Sequence, residues 1–225
     1  TLDHPEIFLL QIRAMIKANV EHQNLEIMLP MVSSVSEVDE AIRLINQAFY
    51  ELSSELSLLD HQTLIRPRIG VMIEVPSLIF QLEELAHKVD FFSVGSNDLT
   101  QYLLAVDRNN ARVANLYSSY HPSVLKALQW IAQESKKYNV PISLCGELAS
   151  EPAGALLLLA MGYDKLSMNP HNIARIKWVI RHVDLQTAQD ILTKVLTFSD
   201  VKHVHSYLNE QLELLELGGF VRAGM

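Results

Sequence analysis

Three apolar runs in this sequence end in side chains that a buried core does not require. The run GVMIEVP carries Glu74, FFSVGSND ends in Asn97 and Asp98, and ISLCGE ends in Cys145 and Glu147. A further apolar stretch after Asp98 closes on Asp107 and Arg108. If each run is a strand of one parallel sheet, these carboxyl ends share the face where α/β folds bind ligands. Glu74 and Asp98 lie on consecutive runs, so their carboxylates could converge on one ion. Two carboxylates, completed by waters and a ligand's oxygens, are what magnesium takes, with octahedral oxygen ligation and partial dehydration. Calcium would ask for more protein oxygens. Zinc would recruit histidine or cysteine, which these run ends do not offer together.

Each residue also has a plainer explanation. Glu74 could cap the helix after Pro76, Asp98 could cap a helix beginning at Leu99, and Asn97 could satisfy a loop backbone. Arg108 could form a surface pair with Asp107, and Cys145 could be a small buried residue, as free cysteines usually are. Their coincidence at consecutive strand ends is what favours a site. Elsewhere the chemistry is thin. His203 and His205 are two apart, the wrong spacing to share a helix face. Met28, Met31, Met72, Met161 and Met168 continue apolar patterns and read as packing. Gly95, Gly146 and Gly162 read as allowing tight strand–loop turns, and no phosphate-loop or dinucleotide fingerprint is present.

The elements that must position these residues alternate. A helical period over 6–20 precedes the strand EIMLPMV. A serine cap with glutamate three positions on opens the helix SVSEVDEAIRLINQAFYELSSEL. Residues 57–68 read as a connection. RIGVMIEV is followed by the helix SLIFQLEELAHKV, and DFFSVG by a polar loop and a short helix. HPSVLKALQWIAQESKKYN, EPAGALLLLAMG and NIARIKWVIRHV read as helices, separated by the strands PISLCG and KLSM. EPAGALLLLAMG is apolar nearly all round, so both its faces should be covered. Continuous apolar strands alternating with helices mean an α/β fold with a parallel sheet buried on both faces. Residues 184–225 hold two more helices, DLQTAQDILTKVLTF and DVKHVHSYLNEQLELLEL, and a glycine-rich tail.

Length and element count disagree. The chain has 225 residues. That approaches the roughly 250 residues of a complete (β/α)8 barrel, yet five strands are found where a barrel needs eight. The count favours the last five strand–helix units of a barrel, over residues 1–183, with a helical extension of the same domain over 184–225. An open, doubly wound five-stranded sheet is the alternative. The first residue lies inside what already reads as an element, so the chain is expected to be an excised piece.

Composition bounds the partners. Hydrophobic residues make up 49% and charged residues 20%, as in folded rather than disordered chains. A net charge of −8 weighs against wrapping nucleic acid. Runs such as ALLLLAM are far shorter than a membrane span. One cysteine permits no internal disulfide, so a cytoplasmic location is expected.

The blocks RIGVMIEVPS, VDFFSVGSNDLTQYLLAVDRNN, HPSVLKAL and ISLCGELASEPAGALLLLAMGYDKLSMN, in this order, resemble one family closely. They are similar to the carboxyl-terminal domain of enzyme I of the bacterial phosphotransferase system, the phosphoenolpyruvate–protein phosphotransferase. That enzyme is one branch of the phosphoenolpyruvate-utilising enzymes, beside pyruvate phosphate dikinase and phosphoenolpyruvate synthase. SMNPHNIARIKWVIR and the tail GGFVRAGM lean towards the nitrogen-related paralogue, and the short tail and SMNP block disfavour the two sister enzymes. A regulatory barrel that senses phosphoenolpyruvate without turnover would be expected to lose Glu74, Asp98 or Cys145, and all three are present.

The resemblance implies a (β/α)8 barrel that binds phosphoenolpyruvate and Mg2+. Glu74 and Asp98 would be the metal ligands, Asn97 would hydrogen-bond the phosphate or carboxylate, and Arg108 would clamp the phosphate. Cys145 would protonate the enolpyruvate carbon, and Glu147 would help orient its loop. The phosphoryl group would pass to a histidine on an amino-terminal domain outside this chain, then to a histidine-containing phosphocarrier protein, with release of pyruvate. The first three barrel strands, with two more phosphate-binding arginines, are likewise expected outside the chain, so it should be inactive in isolation. Homodimerisation through this domain is implied too.

Overall fold

The computed structural model describes residues 2–59 and 64–219. Helix α1 (Pro5–Ala18) leads into strand β1 (Glu26–Leu29) and helix α2 (Val35–Leu59). Strand β2 (Arg68–Ile73) is followed by α3 (Leu82–Ala86), β3 (Phe91–Gly95), α4 (Ser96–Leu104) and α5 (Pro122–Lys137). Then come β4 (Ile142–Cys145), α6 (Pro152–Met161), β5 (Lys165–Ser167), α7 (Pro170–His182), α8 (Leu185–Val195) and α9 (Val201–Leu214).

The five strands form one sheet in the order β1-β2-β3-β4-β5, and every neighbouring pair is parallel. A doubly wound sheet reverses its strand order at a switch point. Here each crossover steps the same way, as in a (β/α)8 barrel, and the sheet is a partial barrel. The strands at its two edges, β1 and β5, pair on one side only among the described residues.

The two faces of the strands explain why they read as continuous apolar runs. Ile69, Val71 and Ile73 of β2, Phe92 and Val94 of β3, and Ile142 and Leu144 of β4 are all buried in the main core. Alternation along a strand puts Gly70, Met72 and Glu74, then Phe91, Ser93 and Gly95, then Ser143 and Cys145, on the opposite face. That inner face is packed locally rather than throughout. A Cβ at Gly70 would lie 2.3 Å from the Phe91 ring, so the glycine lets that ring lie across the strand. Below it Arg68 bonds Glu26 on β1 at 2.7 Å, with its guanidinium 5.6 Å from the Phe91 ring centre. Met28, on the same face of β1, is 39% exposed, and Met31 just beyond β1 is 52% exposed, so neither is the packing residue its apolar run suggests.

Helix ends largely follow their local signals. Asp184 caps α8 by accepting the Thr187 N–H at 2.9 Å, and Asp200 caps α9 by accepting the Lys202 N–H at 2.7 Å, as aspartate does at helix starts. At α2 only half of the capping box forms. Glu37 reaches back to the Ser34 N–H at 3.3 Å, but the Ser34 hydroxyl faces that of Ser36 at 2.9 Å. The expected helix over 77–89 is instead two pieces, a 3-10 turn Pro76–Phe80 and the short α3. Gln81 sits at the break with its side chain drawn to the β1–α2 connection. Its amide accepts from the Val35 N–H at 3.1 Å and donates to the Ser33 carbonyl at 3.2 Å. α2 runs to Leu59, into the stretch expected as a connection, of which residues 60–63 lie outside the described residues.

Helix α6 is covered on all sides, as its composition requires, by α5, α7, α8 and α9. Leu157 and Leu158 face the main core. Leu156 joins Val179, Val183, Ala188, Leu212 and Leu217 in a second cluster that seats the last helices. Each fully buried leucine contributes about 1.5–3 kcal/mol relative to an exposed one.

Candidate functional site

The strand registers bring Glu74 and Cys145 to one end of the sheet, where Asn97 and Asp98 follow β3. Ile73 pairs with Val94, so Glu74 follows level with Gly95, and Gly95 pairs with Cys145. Glu74 is 3% exposed and does not cap the turn after it; Val75 occupies that position. Its Oε1 accepts the Met31 N–H at 2.7 Å. Met31 supplies that donor from a left-handed backbone, with φ 53°, a region sparsely populated by residues with a side chain. A Cβ at Gly95 would stand 2.5 Å from Glu74 Oε2. Gly95, whose φ is an ordinary −83°, is therefore there to admit the carboxylate rather than to turn the chain.

Asp98 is no helix cap. β3 runs straight into α4 with no intervening loop, and the helix begins at Ser96, so Asp98 lies in the first turn beyond the N-cap Gly95. A carboxylate there is favoured by the helix dipole. Burial, and then the negative charge of Asp98, hold the Glu74 carboxyl above its ordinary value, against the pull of the Met31 N–H. A buried carboxylate beside a second one is a place for a hard cation. Among the described residues, no group of three or more His, Cys, Asp or Glu side chains gathers to hold a metal. Glu74 and Asp98 could offer two carboxylates, oxygen donors of the kind magnesium takes with retained waters, whereas zinc favours histidine and cysteine.

An ionised Glu74 costs the fold stability. Because its folded value is raised, the cost is absent below the unfolded value of about 4.5 and complete once pH has risen through the folded one. Glu74→Gln keeps an acceptor for Met31. It is expected to raise the melting temperature of the metal-free protein at pH 7 and to leave it unchanged near pH 4, as paired thermal melts would show.

Asn97 and Cys145 are joined through the β4 loop. Asn97 Oδ1 accepts the Glu147 N–H at 3.2 Å, which leaves the amide NH2 free to donate to a ligand. Glu147 thus meets Asn97 through its backbone N–H, and its carboxylate makes no hydrogen bond among the described residues. The Tyr117 hydroxyl donates to the Asn97 carbonyl at 3.2 Å. The Cys145 thiol, half-buried at the end of β4, donates to the Val94 carbonyl at 3.4 Å and accepts from the Ser93 hydroxyl at 3.8 Å. Burial raises its pKa first, and the Glu74 and Asp98 charges add to it, so the sulfur keeps its proton at neutral pH.

Arg108 is exposed in the connection after α4, where its N–H donates to Gln101 Oε1 at 3.2 Å. Its guanidinium makes no hydrogen bond or ion pair among the described residues, and Asp107 spends a carboxylate oxygen on the Asn109 N–H instead. The surface-pair explanation therefore fails, and the structure does not join Arg108 to the other four side chains. Met31, Ser93 and Ser96 were not anticipated. Of these, Ser93 had a signal, a hydroxyl inside the apolar run FFSVG.

The fold and this gathering of polar strand ends define the class: part of a parallel (β/α)8 barrel, with its polar groups where such barrels bind ligands. Residues 1–185 match the PEP-utilising enzyme family, PEP-binding domain, and the chain belongs to that family. It is 47% identical over 225 residues to a "Phosphoenolpyruvate-dependent phosphotransferase system" protein of Salmonella typhimurium, covering 100% of this chain and 30% of that protein. It is 38% identical over 211 residues to the "Phosphoenolpyruvate-protein phosphotransferase" of Haemophilus influenzae, covering 94% of this chain and 36% of that protein. The chain thus spans about a third of these curated relatives. The crystal structure of a citrate lyase from Burkholderia xenovorans superposes with a TM-score of 0.56 at 18% identity, over 94% of this chain and 69% of that one, a likeness of fold.

Proposed function

We propose that this chain is the carboxyl-terminal part of the phosphoenolpyruvate-binding barrel of an enzyme I-type phosphotransferase, of the nitrogen-related branch. The whole protein would move the phosphoryl group of phosphoenolpyruvate to a histidine on an amino-terminal domain, pass it to a histidine-containing phosphocarrier protein, and release pyruvate. The observation that carries this reading is the juxtaposition, at one end of the sheet, of two carboxylates with a thiol whose surroundings keep it protonated. Membership of the family supplies the substrate class, and SMNPHNIARIKWVIR supports the branch. The tail beyond Gly219 lies outside the described residues.

Each side chain has a task in that reaction. Glu74 and Asp98 would hold Mg2+, which when bound neutralises charge on the transferring group. The free amide of Asn97 donates to a phosphate or carboxylate oxygen. Arg108, whose planar fork matches phosphate oxygens, closes over the ligand from its exposed connection. Cys145 gives its proton to the methylene carbon of the enolpyruvate once the phosphoryl group has left. Homodimerisation and a cytoplasmic setting belong to the same reading. Among the described residues no helix is long and apolar enough to cross a membrane.

Calorimetric titration with phosphoenolpyruvate, with and without Mg2+, tests it. Binding heat is expected with the metal and is expected to vanish in Asp98→Asn. If the unsubstituted chain is silent, the titration is repeated on the full-length protein, where silence would sink the proposal.

A further inference from the structure

We propose that Ser93 is a positioning residue for the Cys145 thiol: its hydroxyl holds the sulfur in place while the S–H bond turns, and donates to the sulfur after the proton has left. This rests on the reading of Cys145 as the proton donor. Ser93 is 5% exposed on β3, on the inner face of the sheet. Its partner in register is Ser143, two residues before Cys145, so serine and cysteine are diagonal neighbours across two paired strands. The Ser93 Oγ donates to the Cys145 Sγ at 3.8 Å, within the reach of a hydrogen bond to sulfur. Among the described residues that is the hydroxyl's one bond, so its single proton is spent on the thiol. The thiol proton points the other way, to the Val94 carbonyl at 3.4 Å.

A buried hydroxyl in an apolar strand costs free energy unless it is hydrogen-bonded, and an alanine would pack there as well. What serine adds is a donor aimed at sulfur. During protonation the S–H bond breaks and a C–H bond forms at the methylene carbon, while the electron pair stays on sulfur. The S–H must first swing away from the Val94 carbonyl, and the Ser93 hydroxyl keeps the sulfur in place as it does. It then donates to a thiolate, where a hydrogen bond is stronger than to a neutral thiol. Solvent returns the proton to sulfur before the next turnover.

Two arms test the role, using Ser93→Ala and Ser93→Thr. In the full-length protein, Ser93→Ala is expected to lower kcat for pyruvate formation about tenfold with KM for phosphoenolpyruvate unchanged, and Ser93→Thr to restore most of it. An unchanged kcat in Ser93→Ala, or a threonine variant as slow as the alanine one, would overturn the proposal. The second arm needs no turnover. Cys145 is the chain's one cysteine, so iodoacetamide reads it directly. At a fixed pH the alkylation rate is expected to fall about fivefold in Ser93→Ala and to recover in Ser93→Thr, as loss of a donor to a charged sulfur predicts. An unchanged rate would show that the contact does not act. If alkylation responds while the unsubstituted full-length protein makes no pyruvate, the contact stands, but the reading of Cys145 as proton donor falls and the catalytic role of Ser93 falls with it.

Discussion

Cys145→Ala is expected to lower pyruvate formation from phosphoenolpyruvate by about 10²–10⁴-fold, the usual contribution of a positioned general acid. Affinity for phosphoenolpyruvate should change little, because the thiol is bonded to Ser93 and Val94 and leaves the ligand to be held by other groups. The loss belongs in kcat, since proton donation acts in the transition state and not in the bound ground state. Steady-state kinetics on the full-length protein, paired with calorimetry on the same variant, separate the two. A variant that kept its turnover would remove Cys145 from the chemistry. A variant that lost affinity in step with rate would make the thiol part of the binding surface.

Gly146→Ala is expected to be the most damaging small substitution near the site, at about 2–4 kcal/mol of stability. Two causes coincide there. The φ of +128° is one that side chains rarely adopt, and the new Cβ would lie 2.2 Å from Ser96 Oγ and 3.0 Å from Asn97 Oδ1. Ser96 has no room to yield, being fully buried with its hydroxyl on the Cys145 carbonyl at 3.1 Å. Gly162 isolates the first cause. Its φ is +91°, but a Cβ there would meet nothing within 4 Å. Gly162→Ala should therefore cost about 1–2 kcal/mol, from the backbone conformation only. Urea unfolding of both variants measures the difference. Equal losses would mean that the cradle around Gly146 is slack and does not hold the thiol loop.

Much of this protein was legible in its sequence because the relevant physics is local. Apolar runs without alternation at 68–75 and 90–95 marked strands buried on both faces, and the segments opening at 184 and 200 were legible as two further helices. A carboxylate, an amide and a thiol at successive run ends marked the candidate ligand face, since parallel strands must place their carboxyl ends together. Where local signals were ambiguous the structure chose. It placed Asp98 inside α4 rather than at its start, and it broke the helix expected over 77–89 at Gln81.

What the tertiary structure decided lies in contacts between residues far apart in the chain. The Met31 N–H reaches Glu74 across 43 residues, Ser93 reaches Cys145 across 52, and Asn97 reaches the Glu147 N–H across 50. No periodicity or cap encodes such a pair. Each depends on strand register and on a backbone that lets two groups meet, as Gly95 and Gly146 do. Strand order is of the same kind. Alternating strands and helices are equally compatible with an open doubly wound sheet and a barrel, because both bury the same apolar faces. Only the observed order, stepping one way from β1 to β5, separates them. Residue types and their spacing therefore determined which chemistry was available at the strand ends. The pairing of distant strands determined which of those groups meet, because side chains brought together by folding exert their fields and hydrogen bonds only at contact distance.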